Sequence, residues 1–247
     1  MVSRINRYRP GYVKEVPNNP TGALRGDTIL NVGQAVVSPG FIDAHSHSDL
    51  QLFSEPSLCP KVRQGITTEI LGQDGFSMAP IYGEDKASKW QEHLSGLAGR
   101  VAESWTWGSM SDYLDAVDEA GVGLNVATLV GHGTVRYQVM GMEDREADSD
   151  EPYQMAELVI EALEEGAIGL STGLVYSPQL NATPEEVQRL AAKLHSYGRP
   201  FVAHIWSEGK WIWDALDEFI NIDDEEDIPV HLSHYKVAGS MRLGRAD

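Results

Sequence analysis

The chain has 247 residues, 42% hydrophobic and 23% charged, with a formal net charge of −18 at pH 7. That length supports one large core of the size α/β barrels reach. The acidic balance excludes nucleic acid and anionic membrane surfaces as partners, because both would repel it.

Residues 1–34 are turn-rich, with Pro17, Asn18, Asn19, Pro20 and Gly22, and read as an extended arm or the remnant of a small accessory β domain. Arg4, Arg7 and Arg9 are not followed by the apolar stretch of a secretory signal. No apolar run nears the ~20 residues of a membrane span, so the expected location is the cytoplasm. The first of six short apolar runs with the character of buried strands covers 35–42, broken only by Pro39-Gly40, and leads into His45-Ser46-His47. A strand places i and i+2 on one face, which would aim both imidazoles at one point. Cys59, the sole cysteine, precludes an intrachain disulfide; before Pro60 it reads as a helix start with a buried, inert thiol.

The second run, 67–72, ends at Gly72-Gln73-Asp74-Gly75, where Asp74 is either a ligand or a turn-stabilising Asx residue. The third, 124–130, is followed by His132 between two glycines, where a loop hydrogen bond competes with a role toward substrate. The acidic patch 143–151 reads as a solvated loop. An amphipathic helix over 152–165 aligns Met155, Leu158, Val159, Ala162 and Leu163. A fourth run covers 167–170. Thr183-Pro184-Glu185-Glu186 then supplies an N-cap, a first-turn proline and a capping-box glutamate, with Gly198 closing the helix. The fifth run, 200–205, contains His204. A helix over about 208–220 buries Trp211, Ile212, Ala215, Leu216 and Phe219, and a second acidic patch, 223–227, reads as loop. The sixth run, 228–233, encloses His231 as a core residue and is followed by His234. His93 and His195 fall on helices and read as surface residues. No internal repeat is found.

Strand–helix alternation implies a parallel sheet with helices outside it. Such folds place their chemistry at the C-terminal strand ends. His45, His47, Asp74, His204 and His234 all fall there. Three or more imidazoles with a carboxylate suit zinc with a position left open.

These residues sit in segments that resemble the amidohydrolase superfamily, and within it the D-aminoacylases (N-acyl-D-amino-acid deacylases). The segments are Pro39 to His47, Gly65 to Gly75, Leu129 to Arg136, Gly166 to Leu174 and Ser233 to Gly239. The resemblance implies a metal-dependent-hydrolase (β/α)8 TIM barrel over 35–247, with only about six strands in this chain. It implies one or two zinc ions, His45 and His47 on one and His204 and His234 on the other. Asp74 stands where better-known members have a bridging cysteine. Ser171-Thr172-Gly173 excludes the carboxylated lysine used elsewhere in the superfamily. Lys236, with His132 and Arg136, is expected to hold substrate. The implied reaction is hydrolysis of an N-acyl-D-amino acid to a carboxylate and a D-amino acid.

The aspartate serving the family as general base is expected beyond Asp247, so an inactive fragment is one expectation. Two alternatives are a cyclic-amide hydrolase of the dihydroorotase or hydantoinase type and a non-catalytic truncated barrel. Open barrel edges would favour self-association.

Overall fold

The computed structural model describes residues 35–101 and 107–238. The chain divides into two compact units, residues 1–39 and 40–247. Of the first, only 35–39 are described, and they are exposed and without regular structure. The arm expected over 1–34, and Asp247, lie outside the described residues.

In the second unit, strands β1 (Phe41–Asp43), β2 (Ile66–Leu71) and β3 (Asn125–Thr128) form one parallel ladder. Strands β4 (Val130–Gly131), β5 (Leu170–Gly173), β6 (Phe201–His204) and β7 (Val230–Leu232) form another. The ladders meet at Leu129. Its N–H donates to Leu71 O at 3.0 Å, while the next N–H, of Val130, donates to Gly169 O at 2.9 Å. β3 and β4 are thus one strand position that changes partner, giving six parallel positions in chain order. This is the part of a (β/α)8 barrel that the sequence predicts.

The first strand is shorter than the apolar run suggests. Pro39 has no N–H to donate, and pairing begins where Phe41 N–H reaches Gly65 O at 2.8 Å. The fourth lies three residues later than expected, at Leu170–Gly173, because the Ala167 N–H still returns to Ala162 O of the preceding helix at 2.9 Å. Ser171 and Thr172 are fully buried in it despite their polarity.

Helices α1 (Gln51–Ser54) and α2 (Cys59–Val62) are single turns; α3 (Glu84–Leu94), α4 (Met110–Ala120) and α5 (His132–Met140) follow. Cys59 does begin α2, but it is exposed, which corrects the buried reading: a helix of one turn has no inner face to cover it. α6 (Glu151–Glu164) buries Met155, Val159, Ala162 and Leu163, as its periodicity predicts.

α7 (Pro184–Ala191) is capped by Thr183, whose side chain accepts the Glu186 N–H at 3.2 Å. Glu186 does not return the capping-box bond; its carboxylate turns inward, as described below. A 3-10 turn over Ala192–Tyr197 then leads to Gly198 in the left-handed region, φ 57°. α8 (Ile212–Glu226) starts and ends later than expected. Trp211 lies outside it and is 51% exposed, its N–H bonded to Ser207 Oγ. The acidic 223–226 stretch is its last turn, not a loop. His231 is also exposed, since β7 is paired on one side only among the described residues.

Candidate metal centre

The histidine pair lies past the end of β1, so strand alternation does not align it. An ionic support beneath it does. Ser46, between the histidines, donates its N–H to Ile70 O at 3.2 Å and its hydroxyl to Glu69 Oε2 at 2.8 Å. Lys61 bridges Glu69, Ser46 and Asp43, and Asp43 accepts the His45 N–H at 3.3 Å. Glu69 is completely buried, which ties this turn to β2.

Asp74 follows β2 in a turn where Gly72, Asp74 and Gly75 all have positive φ, at 71°, 55° and 80°. Aspartate tolerates that region better than most residues. The turn is clamped from three sides. Ser171 Oγ accepts the Gly75 N–H at 2.9 Å, Gln179 Nε2 donates to Asp74 O at 2.9 Å, and Gln73 Nε2 donates to Ala44 O at 2.9 Å. His204 is the last residue of β6, and His234 lies two residues past β7.

These elements bring the five predicted ligands together. His45 Nε2 and His47 Nε2 stand 3.6 and 3.4 Å from Asp74 Oδ2, and His204 Nδ1 stands 3.8 Å from Asp74 Oδ1. The His234 ring lies 4.4 Å from that of His204 and 5.5 Å from that of His45, centre to centre. Two donors on one tetrahedral zinc at ~2.0–2.2 Å stand about 3.3–3.6 Å apart. The separations from Asp74 Oδ2 match that spacing, which is long for direct hydrogen bonds.

Burial pushes the Asp74 carboxyl up, but the contacts with His45 and His47 outweigh it and hold the group well below the usual carboxylate range. Burial holds the His204 imidazole down against the pull of Asp74 and Glu208. An anionic carboxylate and a neutral imidazole are the forms a metal needs. His45 Nδ1, Asp74 Oδ1 and His234 Nδ1 are buried with no hydrogen-bond partner. Buried polar atoms are rarely left so. Donor chemistry, spacing and orphaned atoms together fit a zinc-like ion.

Two residues that the sequence reading missed also face this cluster. Glu208, in the turn after β6, puts Oε1 2.7 Å from His234 Nδ1 and 3.7 Å from His204 Nε2. The Tyr176 hydroxyl lies 3.5 Å from His204 Nδ1. A glutamate four residues past a ligand histidine was the available signal for Glu208; Tyr176 had none. Lys236 reaches the edge of the cluster, its ammonium 3.2 Å from Glu208 Oε2 and its side chain 55% exposed.

His132 and Arg136 are not brought to the cluster. His132 Nε2 lies 2.7 Å from Glu186 Oε1 and Nδ1 2.9 Å from Thr172 Oγ1. Arg136 donates to Glu186, to Pro178 O at 2.7 Å and to Arg145 O at 2.6 Å. Both are fully buried, so their hydrogen-bonding capacity is spent inside the fold.

The model of the amidohydrolase family matches residues 28–244. The chain belongs to that family. This amidohydrolase is 37% identical over 219 residues to the D-aminoacylase of Alcaligenes xylosoxydans xylosoxydans, covering 89% of this chain and 44% of the relative. Among solved structures, a D-aminoacylase superposes with a TM-score of 0.74 at 38% identity, over 84% of this chain and 42% of that one. An N-acyl-D-glutamate deacylase from Bordetella bronchiseptica, complexed with zinc and a phosphonate mimic of the tetrahedral intermediate, superposes at 0.67 with 31% identity, over 78% and 39%. The amidohydrolase chain thus spans less than half the length of these relatives.

Proposed function

We propose that this amidohydrolase hydrolyses the amide bond of N-acyl-D-amino acids, with zinc held by His45, His47, Asp74, His204 and His234. The observation that carries the reading is the convergence of these five donors from four strand ends, with His45 and His47 set from Asp74 at the spacing of donors on one zinc ion. The relatives named D-aminoacylase and N-acyl-D-glutamate deacylase supply the substrate class.

When bound, zinc supplies a Lewis acid for the amide carbonyl and acidifies water. Water adds across the C–N bond, leaving a carboxylic acid and a free amine. The chain's own residues orient the reactants. Lys236 offers an exposed cation at the rim of the site for the α-carboxylate of the substrate. His132 and Arg136 act indirectly in this reading, His132 linking Thr172 of β5 to Glu186 and Arg136 holding Glu186 from its other side.

In the same reading residues 1–34 form an arm and 35–247 the partial barrel, working in the cytoplasm on a small molecule. No helix among the described residues is long and apolar enough to cross a membrane, and the charge of −18 disfavours nucleic acid. The open edges at β1 and β7 favour association with a second copy.

The test is hydrolysis of N-acetyl-D- and N-acetyl-L-amino acids by the zinc-loaded chain, with hydantoin and dihydrouracil alongside. Chelator-sensitive release of D-amino acids alone is the expected result. Turnover only of the cyclic amides would overturn the substrate class. Bound zinc without any turnover would remove the activity from the 247-residue chain and leave the metal site standing.

A further inference from the structure

We propose that Gln179 is a positioning residue for the metal centre, one that locks the Asp74 turn against β5 and the start of α5 and so aims the Asp74 carboxylate at the ion. The inference rests on the reading of Asp74 as a metal ligand and adds no ligand to it.

Asp74 lies in the left-handed region, φ 55°, so its main chain needs a hold from outside the turn. Gln179 is fully buried, and its partners fix one orientation of its amide. Oε1 accepts the Gly173 N–H at 3.2 Å and the Thr172 hydroxyl at 3.3 Å, so Nε2 is the end that donates to Asp74 O at 2.9 Å. A flipped amide would set two acceptors face to face. The side chain thus bridges β5 to the turn that carries the ligand. Behind it, Thr172 Oγ1 lies 2.9 Å from His132 Nδ1, and His132 Nε2 lies 2.7 Å from Glu186 Oε1. A line of buried polar groups therefore runs from α7 to Asp74. The space around the turn is closed as well. A Cβ on Gly133 would stand 2.9 Å from Gly75 O and 3.0 Å from Gln179 Nε2, and one on Gly173 would stand 2.5 Å from Asp74 O. The glycine after His132 lets α5 come up against the turn, where the Thr134 N–H donates to Gly75 O at 3.1 Å. This gives the Gly131-His132-Gly133 segment a task other than substrate contact: with Gln179 it forms the socket in which Asp74 is held. The rival is that Gln179 only ends β5, through its bond to Gly173, and has no bearing on the ion.

A double-mutant cycle on Zn2+ affinity separates the two. The metal-free 247-residue chain is titrated in competition with a chromophoric chelator as wild type, Gln179→Met, Asp74→Ala and the double variant, with circular dichroism confirming each fold. Methionine keeps the length of glutamine and removes the N–H donor. Loss of a partner that orients a ligand costs ~10–100-fold in metal affinity, which is the range expected for Gln179→Met. In the Asp74→Ala chain the carbonyl at 74 remains but the carboxylate does not. The same change should then leave Zn2+ affinity where Asp74→Ala put it.

A loss in Gln179→Met that vanishes in the Asp74→Ala background supports the inference. Wild-type affinity in Gln179→Met, or an equal loss in both backgrounds, overturns it while leaving the metal site standing. A wild-type chain that binds no Zn2+, or Asp74→Ala with unchanged affinity, overturns the reading of Asp74 as a ligand, and this inference with it. Should Gln179→Met not fold, the isosteric Gln179→Glu, which sets a carboxylate oxygen against the Asp74 carbonyl, takes its place in the cycle with the same outcomes.

Discussion

Asp74 and Glu186 show how the same side-chain chemistry takes two roles. Asp74 has two imidazoles at 3.4 and 3.6 Å and an oxygen with no hydrogen bond, an arrangement that an ion would complete. Asp74→Ala should therefore lower the zinc content of the purified chain, read by elemental analysis; unchanged stoichiometry would remove Asp74 from the site. Glu186 has its partners already, Arg136 and His132, in full burial. Burial pushes its carboxyl up, but those partners outweigh it and the net direction is below the ordinary 4.5. A carboxyl depressed in the folded state stabilises the fold above the unfolded value. That contribution fades as pH falls below about 4.5 through the depressed value. Glu186→Ala should cost about 3–5 kcal/mol at neutral pH by leaving Arg136 buried without its counter-charge. Denaturant titrations across pH should also show a flatter acid-side loss of stability in the variant than in the wild type.

The elements serve mainly to hold turns. The Gly72–Gly75 turn aims Asp74, and its glycines are required by both φ and space. A Cβ on Gly72 would stand 2.2 Å from the Leu129 carbonyl oxygen, a backbone atom at the junction between the two ladders that has no room to retreat. Gly72→Ala should lose more than about 1–3 kcal/mol, combining left-handed strain with this clash. It should also weaken zinc binding by displacing Asp74; a variant with wild-type stability and affinity would mean the turn is more adaptable than its geometry implies. The helix signals were legible wherever a cap and an apolar stripe coincided, as at Thr183 and along α6. They misled at Glu186, where a sequence pattern that suits a capping box competes with a buried guanidinium and a buried imidazole for one carboxylate.

At the scale of the molecule, the strand array has two unpaired edges among the described residues. β1 and β7 each pair on one side only among the described residues. On β1, Phe41 and Ile42 are 62% and 63% exposed. An exposed, apolar edge strand is a template for pairing with another chain. The 247-residue chain should therefore scatter light as an oligomer and bind an apolar dye, and Ile42→Lys should reduce both. A compact, dye-silent monomer would count against the open edge. The charge of −18 opposes association and makes it favoured by salt, which screens that repulsion.

The sequence by itself determined the parallel α/β class and the five strand-end residues offered as candidate ligands, because each depends on local pattern: apolar runs, short spacings and the position of a histidine just past a run. Only the tertiary structure decided what lies opposite those ligands. It set Glu208 against His204 and His234, and it withdrew His132 and Arg136 into a buried network with Glu186, which is 50 residues or more distant in the chain. It also exposed Cys59, Trp211 and His231, whose apolar or strand-like settings read as core. Burial and pairing depend on which elements pack against a residue. That information resides in long-range contacts, which neighbours in sequence do not carry.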